Sequence, residues 1–282
     1  MSPFVVKVVP NRVEELHKLL LKSSQVSDTK PTNDYEAFRV KFAGGTIIGY
    51  TSGKVVASGK ISESLLKDIV LEMKEGGRFE IVIGSDEAGK GEWLGPLVVS
   101  AVAISSEQSR YLRAHGVMDS KALSVQRIME LDNDIKAHSL ARHTVLISPE
   151  KFNKRLAELH EEGKNLNDLL AWAHSIAISK VSKGIKPSSR SRVQIVVDEF
   201  ARAKTRDRIA RVMDLDSVKL VQHHHAEDEI AVAAASITAR AARELWIDGA
   251  RKTLNIELRD LSKRDARNHP YKLRFAKVQY IS

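Results

Sequence analysis

The chain has 282 residues, 43% hydrophobic and 29% charged, enough for one large or two smaller soluble domains with real cores. Lys and Arg outnumber Asp and Glu by 45 to 36, a net charge of +9 that favours an anionic partner, nucleic acid foremost. Cysteine is absent, which excludes disulfides, zinc–thiolate centres and cysteine nucleophiles and fits a cytoplasmic protein. No apolar run approaches the roughly 18 residues of a membrane span, and Met1–Lys7 shows no basic segment leading into a long apolar one, so neither a membrane anchor nor a secretory signal is expected. The charge is uneven: from Arg251 to Ser282, nine Lys and Arg against three Asp and Glu leave +6.

In chain order, Phe4 to Val9 reads as a strand closed by Pro10. Asn11 can then cap a helix whose Val13, Leu16, Leu19 and Leu20 share one face. Ser23 to Asp34 is polar and reads as a loop. Ala37 to Ala43 alternates with period two, Gly44-Gly45 turns it back into Thr46 to Thr51, and Ser52-Gly53 turns again into Lys54 to Ser58. A second helix runs from about Ser62 through Leu65, Leu66, Ile69, Val70 and Met73, and Glu75 to Arg78 reads as a linker. Residues 1–76 therefore form a small α+β unit without a cluster of chemically active residues, which suits a binding module or, nearly as well, a purely structural one.

From Phe79 the texture changes to strands alternating with long helices, the pattern of an α/β domain. Phe79 to Ile83 is a core strand that stops at Asp86-Glu87 and breaks into Gly89-Lys90-Gly91. Pro96 to Ile104 is a second, expected to pair with it antiparallel. Helices are expected over Ser124 to His138, Pro149 to His160 and Leu166 to Val181. Val193 to Val197 is a third strand ending on Asp198-Glu199, and Val218 to Val221 a fourth. Glu227 and Asp228 then lead into a small-residue helix from Ile230 to Ala242, whose Ala and Ser side chains permit close packing.

A buried strand ending on two carboxylates calls for something positive. Asp86, Glu87, Asp198 and Glu227 or Asp228 stand at strand or helix ends, which α/β sheets commonly bring to one crevice. Singly, each has a plain reading: Asp198 can cap a turn and Asp228 a helix. Together they form an oxygen-only set suited to Mg²⁺ or Mn²⁺ rather than zinc. Two such ions about 4 Å apart can activate water and stabilise the leaving oxygen of a phosphodiester. Gly84-x-x-x-x-Gly89-Lys90 is one residue short of the phosphate-cradling loop of nucleotide triphosphatases. Gly91 replaces its hydroxyl residue, however, and Asp86 and Glu87 would repel the polyphosphate, so that reading is rejected. Ser120-Lys121 suits either a phosphate contact or a helix cap. His223-His224-His225 are adjacent and cannot all face one ion, and Trp93, Trp172 and Trp246 are too scattered for a base-stacking platform.

Gly84-Ser85-Asp86-Glu87-Ala88-Gly89-Lys90-Gly91 with Gly95-Pro96 resembles the opening motif of type 2 ribonucleases H. Asp119-Ser120-Lys121-Ala122-Leu123 is similar to that family's D-S-K-x-L. Val197-Asp198-Glu199-Phe200 resembles its third acidic position, and Ala226-Glu227 ahead of Ala233 to Arg240 its fourth. Gly-Ser before the acidic pair and the extra N-terminal unit are closer to ribonuclease HIII. The resemblance implies a ribonuclease H-like α/β catalytic domain (77–282), with a mixed central sheet flanked by helices, behind a TATA-binding-protein-like substrate-binding domain (1–76). It implies a monomeric endonuclease cutting the RNA strand of RNA–DNA hybrids to 5′-phosphate and 3′-hydroxyl ends. Asp86, Glu87, Asp198 and Glu227 (alternatively Asp228) would hold Mg²⁺ or Mn²⁺. Gly89, Lys90 and Gly91 would sit against ribose 2′-hydroxyls, and Ser120 and Lys121 against phosphates. Lys90 departs from the Gly-Arg-Gly usual in type HII and the Gly-Thr-Gly common in type HIII.

Overall fold

The computed structural model describes residues 3–73, 79–118, 123–185, 192–198, 202–211, 218–223 and 229–281, with the backbone alone at Asp198, Arg202 and His223. Two compact units result: Met1–Arg78 with Ser105–Met118, and Phe79–Ile104 with Asp119–Ser282.

In the first unit, strand β1 (Phe4–Lys7) leads to helix α1 (Val13–Leu20), then β2 (Ser27–Thr29), β3 (Glu36–Phe42), β4 (Gly45–Tyr50), β5 (Lys54–Ser58) and helix α2 (Lys60–Glu72). The strands form an antiparallel sheet in the order β1-β5-β4-β3-β2. Alternation decides its faces. Phe38, Val40, Ile47 and Val55 turn inward, where Leu16 and Leu20 of α1 and Leu66 of α2 meet them. Arg39, Lys41, Ile48, Tyr50 and Val56 point the other way and stay partly or fully exposed. Strand β2 lies in the stretch expected to be a loop; it is three polar residues at a sheet edge, with no apolar alternation to reveal it.

The second unit begins with β6 (Ile81–Ala88) and β7 (Leu97–Ser105). Helix α3 (Ser106–Ala114) follows β7 at once, started by a capping box in which Ser105 and Gln108 satisfy each other's backbone amides. This helix belongs to the first unit: Ala114 joins that core, and Arg113 Nη1 donates to the Lys7 carbonyl at 2.8 Å. The sequence reading placed no helix there. Then come α4 (Val125–His138), β8 (Ala141–Ile147), α5 (Pro149–Glu161), α6 (Leu166–Gly184), β9 (Val193–Asp198), α7 (Arg202–Ala210), β10 (Lys219–His223), α8 (Ile230–Leu254), α9 (Lys263–Asn268) and α10 (Lys272–Phe275). The second sheet has the order β10-β9-β6-β7-β8; β10, β9 and β6 run parallel, and β7 and β8 antiparallel, so it is mixed as expected.

Strand β6 is buried on both faces. Ile81 and Ile83 point to the side covered by Phe152 of α5 and by Leu170, Ala173 and Ala177 of α6. Val82 and Gly84 point to the side covered by α8, where Val82 and Val196 pack with Val232. Gly84 makes that approach possible. A Cβ added to it would fall 2.1 Å from the Ala231 carbonyl carbon and 2.2 Å from the Val232 nitrogen. The Ala-rich start of α8 and the missing side chain of Gly84 thus bring two backbones together. Gly84→Ala is expected to lower stability by about 1–3 kcal/mol through overpacking. Gly249→Ala, in the same helix with nothing within 4 Å of the added carbon, is expected to raise it by up to about 1 kcal/mol. Urea unfolding of the two variants checks both signs.

Candidate active site

Strand β6 does not end at its carboxylates. It continues through Ala88, so Asp86 and Glu87 are strand residues and alternate like the rest. The sequence reading, which stopped the strand at the acids, is corrected on this point: extended backbone runs on through the charged pair to Ala88. Glu87 follows Ile83 and Ser85 toward α6, and Asp86 follows Val82 and Gly84 toward α8. The register of β6 with β9 sets Ser85 opposite Val197, and the next residue of each strand is an acid, Asp86 and Asp198. Residues Glu227 and Asp228 lie outside the described residues, immediately before Glu229, the N-cap of α8. Ser120, Lys121, His224 and His225 also lie outside them. Among the described residues no group of three or more His, Asp or Glu could hold a metal ion. The structure therefore brings together two of the acids and the backbone of a third.

The two carboxylates differ sharply. Burial pushes the Asp86 carboxyl up to about 7, and the adjacent Glu87 charge adds to this; a hydrogen bond from the Ser236 hydroxyl opposes it. Burial acts the same way on Glu87, but the hydrogen bond and charge of His174, with the Lys90 ammonium, outweigh it and hold that carboxyl at about 2. His174 Nε2 lies 3.2 Å from Glu87 Oε2, and Lys90 Nζ lies 3.2 Å from Glu87 Oε1. One acid is thus a partnered anion, and the other holds its proton more tightly than an ordinary carboxyl. A low-dielectric carboxylate pair of this kind is a natural seat for a hard cation, whose charge would displace that proton. The residues fit the divalent ion that the sequence implied.

Beyond the acids the chain turns on glycines. Gly89, Gly91 and Gly95 have φ of +85°, +79° and +80°, a region that favours glycine. Gly89 is also cramped: an added Cβ would lie 2.3 Å from the Pro96 carbonyl oxygen and 3.3 Å from Arg243 Cδ, whereas at Gly91 it would meet nothing within 4 Å. Gly84, first glycine of the near nucleotide loop, sits mid-strand under α8, so no phosphate-cradling loop forms there. The segment after Gly91 is fastened from two sides. Arg243 of α8 ion-pairs with Glu92 and donates to the Leu94 carbonyl at 2.9 Å. From the C-terminal region, Gly95 N–H donates to the Phe275 carbonyl at 2.9 Å, Lys277 N–H to the Trp93 carbonyl at 2.7 Å, and buried Lys277 Nζ to the Gly95 carbonyl at 2.6 Å. Burial, helped by the Arg243 charge and opposed by Glu92, lowers the Lys277 ammonium to about 7.

Sequence reasoning missed His174, Arg243 and Lys277. His174 interrupts the apolar face of α6 four residues after Leu170, the one signal that was available.

A family model described as Ribonuclease HII matches residues 83–262. The chain is 39% identical over 259 residues to Ribonuclease HIII of Protochlamydia amoebophila, covering 88% of this chain and 80% of that one. The chain belongs to the type 2 ribonuclease H family. Among solved structures, Bst-RNase HIII in complex with Mn²⁺ matches with a TM-score of 0.62 at 21% identity, covering 99% of this chain and 96% of the other. RNase H3 of Aquifex aeolicus matches with a TM-score of 0.54 at 23% identity over 98% and 99%. These likenesses show the ribonuclease H-like α/β fold with its mixed sheet flanked by helices. As a ribonuclease H the chain is a nuclease and a hydrolase, and no helix among the described residues is long and apolar enough to cross a membrane.

The two glycines of the motif are expected to differ. Gly89→Ala should disrupt the segment and remove activity, because both the positive φ and the Pro96 carbonyl oppose it. Gly91→Ala should cost only about 1 kcal/mol of backbone strain. Thermal unfolding and hybrid cleavage of the two variants, side by side, check the order.

Proposed function

We propose that this ribonuclease H is an endonuclease that hydrolyses the RNA strand of RNA–DNA hybrids, leaving 5′-phosphate and 3′-hydroxyl ends. The observation that carries the reading is the Asp86–Glu87 pair on a strand buried on both faces, with Asp198 at the next position of the parallel neighbour. Asp86, Glu87, Asp198 and Glu227 (or Asp228 in its place) would hold Mg²⁺ or Mn²⁺. When bound, a pair of such ions supplies an activated water and charge stabilisation for the departing 3′-oxygen. The protein's own part is to keep the anionic site assembled and to choose the strand. His174 and Lys90, each 3.2 Å from a Glu87 oxygen, hold that carboxylate in place.

Choice of strand falls to Gly89, Lys90 and Gly91. With nothing within 4 Å of the missing side chain of Gly91 and Gly89 holding the turn, the backbone of this segment can approach a sugar edge closely enough to meet a ribose 2′-hydroxyl, the group that distinguishes RNA from DNA. Ser120 and Lys121 would contact phosphates, positioning the duplex without reading its sequence. Residues 1–76 would act as the TATA-binding-protein-like substrate-binding domain, with 77–282 the catalytic domain apart from helix α3, which packs in the first unit. An antiparallel sheet with helices on one face and Arg39, Lys41 and Tyr50 on the other supports that role, and the net charge of +9 supports an anionic partner.

Asp198→Asn keeps the size of the side chain and removes its charge. It should abolish hybrid cleavage under Mg²⁺ or Mn²⁺ while leaving hybrid affinity within about twofold, since base-independent duplex binding rests on Lys and Arg. Gel cleavage and fluorescence anisotropy measure the two properties separately. Retained cleavage would remove Asp198 from the site.

A further inference from the structure

A line of polar groups, from part-buried Thr144 through fully buried Ser100, Ser85 and His174, crosses the apolar interior of the second unit and ends on Glu87. Thr144 Oγ1 of β8 lies 2.9 Å from Ser100 Oγ of β7. The Ser100 carbonyl accepts from Ser85 Oγ of β6 at 2.9 Å. Ser85 Oγ is 2.8 Å from His174 Nδ1, and His174 Nε2 reaches Glu87. Ser85, Ser100 and His174 have no solvent exposure, and their surroundings are Ile83, Leu170, Ala173 and other apolar side chains. Burying such groups is unfavourable unless each is satisfied, and apolar residues of similar volume would fill the same space without that requirement.

The geometry explains what the line accomplishes. Ser85 Oγ gives its one proton to the Ser100 carbonyl, so toward His174 it accepts from Nδ1–H. The other ring nitrogen, Nε2, faces Glu87 Oε2 at 3.2 Å. The ring is therefore pinned at both ends, and one rotamer of the imidazole and one of Glu87 are selected together.

Building on the reading that Glu87 holds a divalent ion, we infer that His174, oriented by Ser85, is a positioning residue that presents Glu87 to the metal and sets the metal affinity of the site. His174 would not touch substrate. The arrangement follows the general rule that a group behind a ligand aims it and tunes its basicity, and loss of such a group typically weakens metal binding about 10- to 100-fold.

The test is Mn²⁺ binding to the full chain by isothermal titration calorimetry, for wild type, His174→Gln, His174→Leu and Ser85→Ala, with circular dichroism to establish that each is folded. His174→Gln keeps a donor near the Nε2 position and should bind Mn²⁺ close to wild type. His174→Leu should weaken binding about 10-fold or more, with the KM for hybrid unchanged at saturating Mn²⁺. Ser85→Ala should fall between them. The inference is overturned if the Leu variant binds Mn²⁺ as wild type does, or if Gln fails as badly as Leu. Should the Leu variant not fold, Ser85→Ala decides: weaker Mn²⁺ binding than His174→Gln supports the inference, and equal binding overturns it. Absence of Mn²⁺ binding in wild type would overturn the metal reading and this inference with it. Normal wild-type binding with indifferent variants overturns this inference alone.

Discussion

Alternation along β6 sends Glu87 toward α6 and Asp86 toward α8, and both sides of that strand are covered. Two charges that follow one another in sequence are therefore solvated by different parts of the protein. On one side His174 and Lys90 hold the Glu87 carboxyl low; on the other, burial and the neighbouring Glu87 charge raise the Asp86 carboxyl against the Ser236 hydroxyl and the Glu87 backbone amide. The site depends on how closely α8 can lie on the strand, and that distance is set by Gly84. Any side chain there would lift α8 and its Ser236 away from Asp86.

The same economy governs the loop beyond. Gly89 and Gly95 turn in conformations other residues avoid, with Arg243 and Ile247 standing where their side chains would go, while Arg243 and Lys277 hold the backbone carbonyls of Leu94 and Gly95. Arg243 stands on the helix that covers Asp86, so one rigid element supports both the acidic pair and the glycine segment. Cutting and strand choice would then share a single scaffold.

Much of this was legible in the sequence. The core strands were read from the apolar runs Phe79–Ile83, Pro96–Ile104 and Val193–Val197, the first of which runs on through the acids to Ala88, and α6 repeats its apolar residues at helical spacing, so local pattern and tertiary burial largely agree. Strand β8 escaped because Arg142, His143 and Thr144 dilute the apolar pattern on a half-exposed edge. Helix α3 is polar and short; its one sign is the Ser-x-x-Gln box at Ser105–Gln108, which is weak without an apolar stripe behind it. The acids were found because a charge at the end of a buried run is anomalous in one dimension. His174 was not, because a lone polar residue in a helix becomes anomalous only when its partners, Ser85 and Glu87, are seen across the core. Lys277 is hidden for the same reason: in a tail rich in Lys and Arg, nothing local marks the one that is buried.

The central claim is that the carboxylates of this fold serve metal-dependent hydrolysis of RNA paired with DNA. The most direct measurement is one cleavage gel with end-labelled RNA–DNA hybrid, double-stranded RNA and double-stranded DNA, each incubated with the full chain in Mg²⁺, in Mn²⁺ and in chelator. The account predicts internal cuts in the RNA strand of the hybrid alone, with either ion and none in chelator. Cleavage of either of the other duplexes at a comparable rate, or of the hybrid in chelator, would contradict it.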